Sequence, residues 1–146
     1  MEKAIKSKKP KSQKTGGFLE QPIGDFSIVL NAHKGIEVDW AFEVADLLMI
    51  PYDEFSTLLQ LSTKTLKNYQ KEEKKLNAIS SEQVLKLNKM RIVGEKVFGK
   101  PLFFNNWLKK PAFGLDNEIP FSLLQTSGGI DLVIEELETI AHGDFS

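Results

Sequence analysis

An all-α fold is predicted for this 146-residue chain, and three observations predict it. Apolar residues recur at three- and four-residue steps in several stretches. Capping residues, prolines and glycines punctuate those stretches where helices would begin and end. No clear sheet emerges. The length suits one ordinary domain or two small ones, and 41% hydrophobic residues with ten phenylalanines can supply a buried core.

The first segment, KSKKPKSQKTGG, is lysine-rich and aperiodic, and reads as a flexible tail. Residues 1–15 carry six Lys and one Glu against an overall net charge of −1. Such an arm suits either an anionic partner, nucleic acid included, or a solvated leader. Phe26 to Leu30 is apolar but short, so strand and helix start both remain open. In IEVDWAFEVADLL, Ile36, Trp40, Val44, Leu47 and Leu48 share one helical face, and Pro51 stops or restarts that helix. Tyr52 to Leu59 makes a short helix of about two turns. After Leu61, Ser62 or Thr63 caps the next helix, TKTLKNYQKEE, with Leu66 and Tyr69 on one side.

Ser80-Ser81-Glu82-Gln83 resembles a capping box, opening a longer helix through Val84, Leu87 and Met90 toward Val97. Pro101 suits the first turn of a further helix carrying Phe103, Phe104, Trp107 and Leu108. Pro120 starts the short segment FSLLQT. Gly128-Gly129 is expected to break the chain before a last amphipathic helix of Ile130, Val133, Ile134, Leu137, Ile140 and Ala141, with Gly143 ending it.

Few chemistries are supplied. With no cysteine and only His33 and His142, disulfide frameworks and thiolate zinc are excluded, and histidine triads are poorly provided for. Adjacent carboxylates such as Asp53-Glu54 or Glu135-Glu136 diverge on a helix. No metal, cofactor or catalytic residue is expected. No apolar run approaches the ~18 residues of a membrane helix, and the first fifteen residues lack the apolar core of a secretory signal. A cytoplasmic location without membrane contact is expected.

The pair of short helices around Leu61-Ser62 has the layout of a helix-turn-helix. Thr63, Lys64, Thr65, Lys67, Asn68 and Lys71 are the candidate DNA-binding residues: hydroxyl and amide groups for base edges, lysines for phosphates. The competing reading is an ordinary exposed, lysine-rich helix. Arginine, the usual guanine reader, occurs only once, at Arg91.

Taken in order, several motifs from about residue 50 to 143 resemble the Xre/MbcA/ParS antitoxin family, the partners of RES-domain toxins. They are Leu61-Ser62 with Thr65-Leu66, Leu76 and Ser81-Glu82, Val97-Phe98-Gly99, Trp107-Leu108 with Pro111, Pro120 with Leu123-Leu124 and Thr126, and Gly129, Val133, Leu137 and His142-Gly143. Where the family has a Leu-Gly-Gly turn, this chain reads Gly114-Leu115-Asp116-Asn117. The resemblance implies a tail at 1–17, an Xre-like helix-turn-helix and dimerisation module at 18–98, and a small helical toxin-binding domain at 99–146. It implies an antitoxin that blocks a NAD-consuming RES toxin and represses its own operon by binding operator DNA, as a homodimer and in a toxin–antitoxin hetero-oligomer. The alternative is a DNA-binding regulator with no toxin partner.

Ile134, Glu138, Ala141, His142, Gly143 and Asp144 are the residues so implied for toxin contact, on an acidic chain end suited to a cavity that binds a phosphate-rich dinucleotide. Cutting the chain after Gly128 is then expected to abolish neutralisation while the other helices stay folded.

Overall fold

Phe26 to Leu30 lies inside a helix. In the computed structural model, which describes residues 17–143, α1 runs Asp25–Lys34, with Asp25 in its first turn and His33 and Lys34 in its last. That charge order suits the helix dipole. The lysine-rich arm, apart from Gly17, and Asp144 fall outside the described residues. Next come α2 (Val38–Leu47), α3 (Tyr52–Leu58), α4 (Thr63–Lys71), α5 (Ala78–Phe98), α6 (Pro101–Leu108) and α7 (Ser127–Ala141). Short 3-10 turns form at Phe18–Glu20, Phe113–Leu115 and Pro120–Leu123. Among the described residues there is no strand, only isolated bridges Glu37–Lys75 and Ala112–Glu118.

The long helix α5 is the axis of the molecule. It packs on α1, α2, α6 and α7, so one cluster of buried residues runs from Leu19 to Leu137. Val84, Leu87 and Met90 are fully buried, as their spacing predicts, while Val97 is half-buried. On α2, Val44 and the flanking Ile36 and Leu48 are buried and Trp40 and Leu47 half-buried; Val38, Ala41 and Ala45 complete the inner face. Pro51 restarts the chain as the residue capping α3, and Pro101 opens α6.

Two helix starts differ from expectation. Asn77, not the Ser80 region, caps α5: its side chain accepts from the Ser80 amide at 2.8 Å. Ser81 is buried inside the helix, where its hydroxyl accepts from the Ile36 amide (3.0 Å) and donates to the Leu76 carbonyl (3.2 Å), tying α5 to the α1–α2 junction. Likewise α7 begins before the glycine pair, at Ser127, because Thr126 caps it by accepting from the Gly129 amide at 3.0 Å. Gly128 and Gly129 are therefore helical. A Cβ on Gly129 would run into the Leu123 carbonyl oxygen, so Gly129 serves close approach and not chain breaking.

Arg91 is a core residue, 4% exposed. Its guanidinium donates to the Leu19 carbonyl (2.7 Å) and to the Asn88 side chain (2.9 Å), and pairs with Glu95 (3.1 Å). Asn88 donates to the same carbonyl, and Phe18 packs on Trp40 with ring centroids 4.9 Å apart. The start of the described chain is thus clamped to α5 and α2.

Gly94 faces Phe104, which stacks with Phe98 and Trp107 at centroid distances of 6.2 Å. A methyl at Gly94 would overlap the Phe104 ring. Despite the better helix propensity of alanine, Gly94→Ala is expected to destabilise the fold by about 1–3 kcal/mol, seen as a lower thermal midpoint by circular dichroism. An unchanged or raised midpoint would show that Phe104 repacks without cost.

Candidate functional site

Two surfaces lie outside the core. The first is α4. Ser62 settles the choice of cap, its hydroxyl oxygen accepting from the Thr65 amide at 2.9 Å. Gln60 in the preceding turn takes φ 58, and α3 and α4 pack together with α2 behind them. Leu66 is buried and Tyr69 half-buried, with the Lys74 ammonium 4.7 Å from the Tyr69 ring centroid. At the far end of α4, the Gln70 amide donates to Asp39 on α2.

The six residues singled out on this helix divide in two. Lys64, Lys67, Asn68 and Lys71 are all exposed and stand at i, i+3, i+4 and i+7, so they form one stripe facing solvent. Thr63 and Thr65 are half-buried and turned to the protein. The Thr63 hydroxyl donates to the Asp53 carboxylate at 2.6 Å and lies 3.2 Å from the Ser56 hydroxyl, while Thr65 accepts from Ser62 at 2.9 Å. Thr63 braces α3 against α4 and Thr65 closes the cap of α4; the stripe is what a partner can touch. Arg91, buried below, contributes nothing to it.

The second surface is carried by α7 and the loop before it. Ile130, Val133, Ile134 and Leu137 are buried against α5, Ile140 is half-buried and Ala141 is exposed. Ile134, at 5% exposed, is thus a core residue: the inner face of α7 covers α5 and has no room for a partner. Glu138, Ala141, His142 and Gly143 remain accessible at the end of the helix. His142 caps α7, its Nδ1 2.7 Å from the Glu138 carbonyl. Gly143, at φ 74, turns the chain away.

Two exposed apolar residues escaped the sequence reading. Leu132 (51% exposed) lies on the charged face of α7, and Phe113 (90% exposed) sits in the loop that folds beside it. The signal for Leu132 was present: one leucine among Asp131, Glu135 and Glu136. Phe113 had none, since an aromatic in a loop is as easily core.

The loop itself closes by the Ala112 amide donating to the Glu118 carbonyl at 3.0 Å. Asp116 and Asn117 both take left-handed φ (56 and 63), which Asp and Asn tolerate better than most side chains. They make the turn without glycine. Gly114 lies directly against the Glu136 carboxylate, which seats the loop on α7.

Between α1, α5 and α7 runs an open groove of about 380 Å³. Lys86 donates there to Ser127 (2.8 Å) and Asp131 (2.9 Å). Lys89 bonds Asp25 at 2.9 Å and by that hydrogen bond and its charge holds the Asp25 carboxyl below its usual range. The buried Gln83 amide donates to the Leu58 carbonyl at the end of α3 and to the Gln125 carbonyl before α7, linking the two surfaces through α5. Elsewhere, burial and the Asp46 carboxylate push the Tyr52 phenol up to about 12. Among the described residues no cluster of His, Asp and Glu could hold a metal ion, and no helix is long and apolar enough to cross a membrane.

These surfaces coincide with two recognised domains. Residues 28–89 match the antitoxin Xre-like helix-turn-helix domain. Residues 94–143 match the antitoxin Xre/MbcA/ParS C-terminal toxin-binding domain. No individual curated protein matches the chain. The first domain implies DNA binding and the second a toxin partner, the pairing of a non-catalytic regulator in a toxin–antitoxin system. With both domains present, in this order, the chain belongs to the Xre/MbcA/ParS antitoxin family.

Proposed function

We propose that this antitoxin neutralises a RES-domain, NAD-degrading toxin and, as a homodimer, represses its own operon through α4. It works by covering surfaces and carries no catalytic group. The observation that supports this best is the coexistence in one chain of an exposed Lys64–Lys67–Asn68–Lys71 stripe and a matched toxin-binding domain with an uncovered acidic and apolar outer face. The outer face of α7, with Leu132, Glu138, Ala141 and His142, together with Phe113, is the part that meets the toxin. Apolar anchors ringed by charge are the usual core of a protein interface. Carboxylates at the end of α7 face a pocket shaped for the phosphates of a dinucleotide.

The test is co-expression with the product of the adjacent gene. Growth is rescued, a stable complex elutes from a sizing column, and NAD consumption by the toxin stops. Leu132→Asp combined with Glu138→Lys weakens that complex by about tenfold or more while the fold survives, because both side chains are exposed. Full neutralisation by this variant would place the toxin elsewhere. Absence of any complex with the wild-type chain would leave a DNA-binding regulator without a toxin partner.

A further inference from the structure

We infer that the toxin-binding domain also grips DNA: at the end of α6, Lys109 offsets the charge of Glu54, and Lys110 contacts the phosphate backbone that the start of α3 crosses. This deepens, and rests on, the DNA-binding reading of α4 above. In a helix-turn-helix the second helix enters the major groove while the first crosses the backbone beside it. Here the first turns of α3 and α4 are joined, the Thr63 hydroxyl donating to the Asp53 carboxylate at 2.6 Å. With α4 in the groove, the start of α3 comes to rest on phosphates.

The helix-turn-helix alone is badly equipped for that place. From Ile50 to Thr63 there is no Lys, Arg or His, and Asp53 and Glu54 are the only charged residues. Unanswered, two carboxylates in the first turn of α3 repel a chain of phosphates.

The cations come from the other domain. The Lys109 ammonium lies 3.6 Å from the Glu54 carboxylate and 4.6 Å from the centroid of the Phe121 ring, so it is held against the start of α3. Both side chains of that ion pair are well exposed, at 42% and 48%, and so open a pair adds little to the stability of the fold. What it does is cancel the charge of Glu54. Lys110, next along the chain and exposed, then leaves the edge positive. Asn105, one turn earlier on α6, donates to the Leu48 and Met49 carbonyls at 3.0 and 3.4 Å, which fixes that helix beside the turn leading into α3. Basic side chains thus flank the joined helix starts, with Lys64 in the first turn of α4 and the lysine pair beside the first turn of α3.

Fluorescence anisotropy of the full chain with a labelled duplex of the DNA upstream of the operon, read over a range of salt, tests this. Lys110→Gln flattens the slope of log affinity against log salt by about 0.9 per copy and lowers affinity about eightfold per copy at about 0.1 M salt. Circular dichroism of this variant is unchanged, because the side chain is exposed. Lys100→Gln is the control. It removes the same charge from an exposed lysine of the same domain, at the opposite end of α6. A helix of this length sets the two lysines roughly 12 Å or more apart, beyond the ~10 Å screening length. Slope and affinity stay at wild-type values in the control.

An unmoved slope for Lys110→Gln, with binding still lost when Lys64 and Lys67 become Glu, overturns the second contact and leaves α4 as the DNA-facing helix. Equal flattening by Lys110→Gln and Lys100→Gln overturns it as well, since the effect is then one of net charge and not of contact. Loss of toxin capture by Lys110→Gln with DNA binding intact overturns it and assigns the residue to the toxin. A wild-type chain without salt-dependent DNA binding sinks the reading of α4, and this inference with it.

Discussion

Cutting the chain after Gly128 is expected to collapse the cooperative fold, not merely to disarm it. The cut removes Ile130, Val133, Ile134 and Leu137, each no more than 5% exposed, and opens the whole side of α5 on which they lie. Burying one such side chain stabilises by roughly 1.5–3 kcal/mol, so four together rival the ~5–15 kcal/mol net stability of an ordinary domain. The cut also removes Asp131, to which Lys86 donates, leaving that lysine half-buried without its carboxylate.

Urea denaturation followed by circular dichroism should show no cooperative transition near the wild-type midpoint. The single change Leu137→Ala, at a fully buried position, should cost about 2–5 kcal/mol. A truncated chain that still melts like the parent would mean that α1 to α6 form a self-sufficient core, contrary to the continuous cluster described here. Because the cut unfolds the protein, it is a poor test of toxin binding; exposed positions such as Leu132 and Glu138 are the ones to change.

Replacing Lys64 and Lys67 by Glu should abolish binding to the DNA upstream of the operon. Both lysines are exposed on the same face of α4, so the pair of changes reverses the sign of half the stripe. Each phosphate-contacting lysine contributes about 0.9 to the slope of log affinity against log salt. Losing two per copy should flatten that slope by about 2 per copy and lower affinity at least about 100-fold at low salt. Fluorescence anisotropy over a range of salt concentrations reads both quantities. Stability and toxin capture should stay at wild-type values, since both lysines are exposed and lie outside residues 94–143, which match the toxin-binding domain. An unaltered salt slope would exclude α4 as the DNA-facing helix.

Much of this molecule can be read from short windows of its sequence. Helix spacing places α2, α5, α6 and α7, and Ser62 can be named as a cap because a cap needs only an oxygen and an amide three residues on. The order of family motifs carries the antitoxin reading, and those motifs fall within the two matched stretches, 28–89 and 94–143. Lys64, Lys67, Asn68 and Lys71 are legible as a stripe because their spacing alone puts them on one side of a helix.

What required the folded chain is everything that depends on which of several faces is covered. The only arginine, to which the sequence assigns no role, is a buried clamp, because its partner, the Leu19 carbonyl, lies 72 residues away. Ile134 and Leu132 are both apolar residues of α7; packing on α5 buries one and leaves the other in water. Phe26 and Ile79 are unremarkable letters until the packing of α1 and α5 leaves both of them exposed. Local signals act through neighbours along the chain, whereas burial is settled by contacts between distant segments, and a single sequence records the first far more plainly than the second.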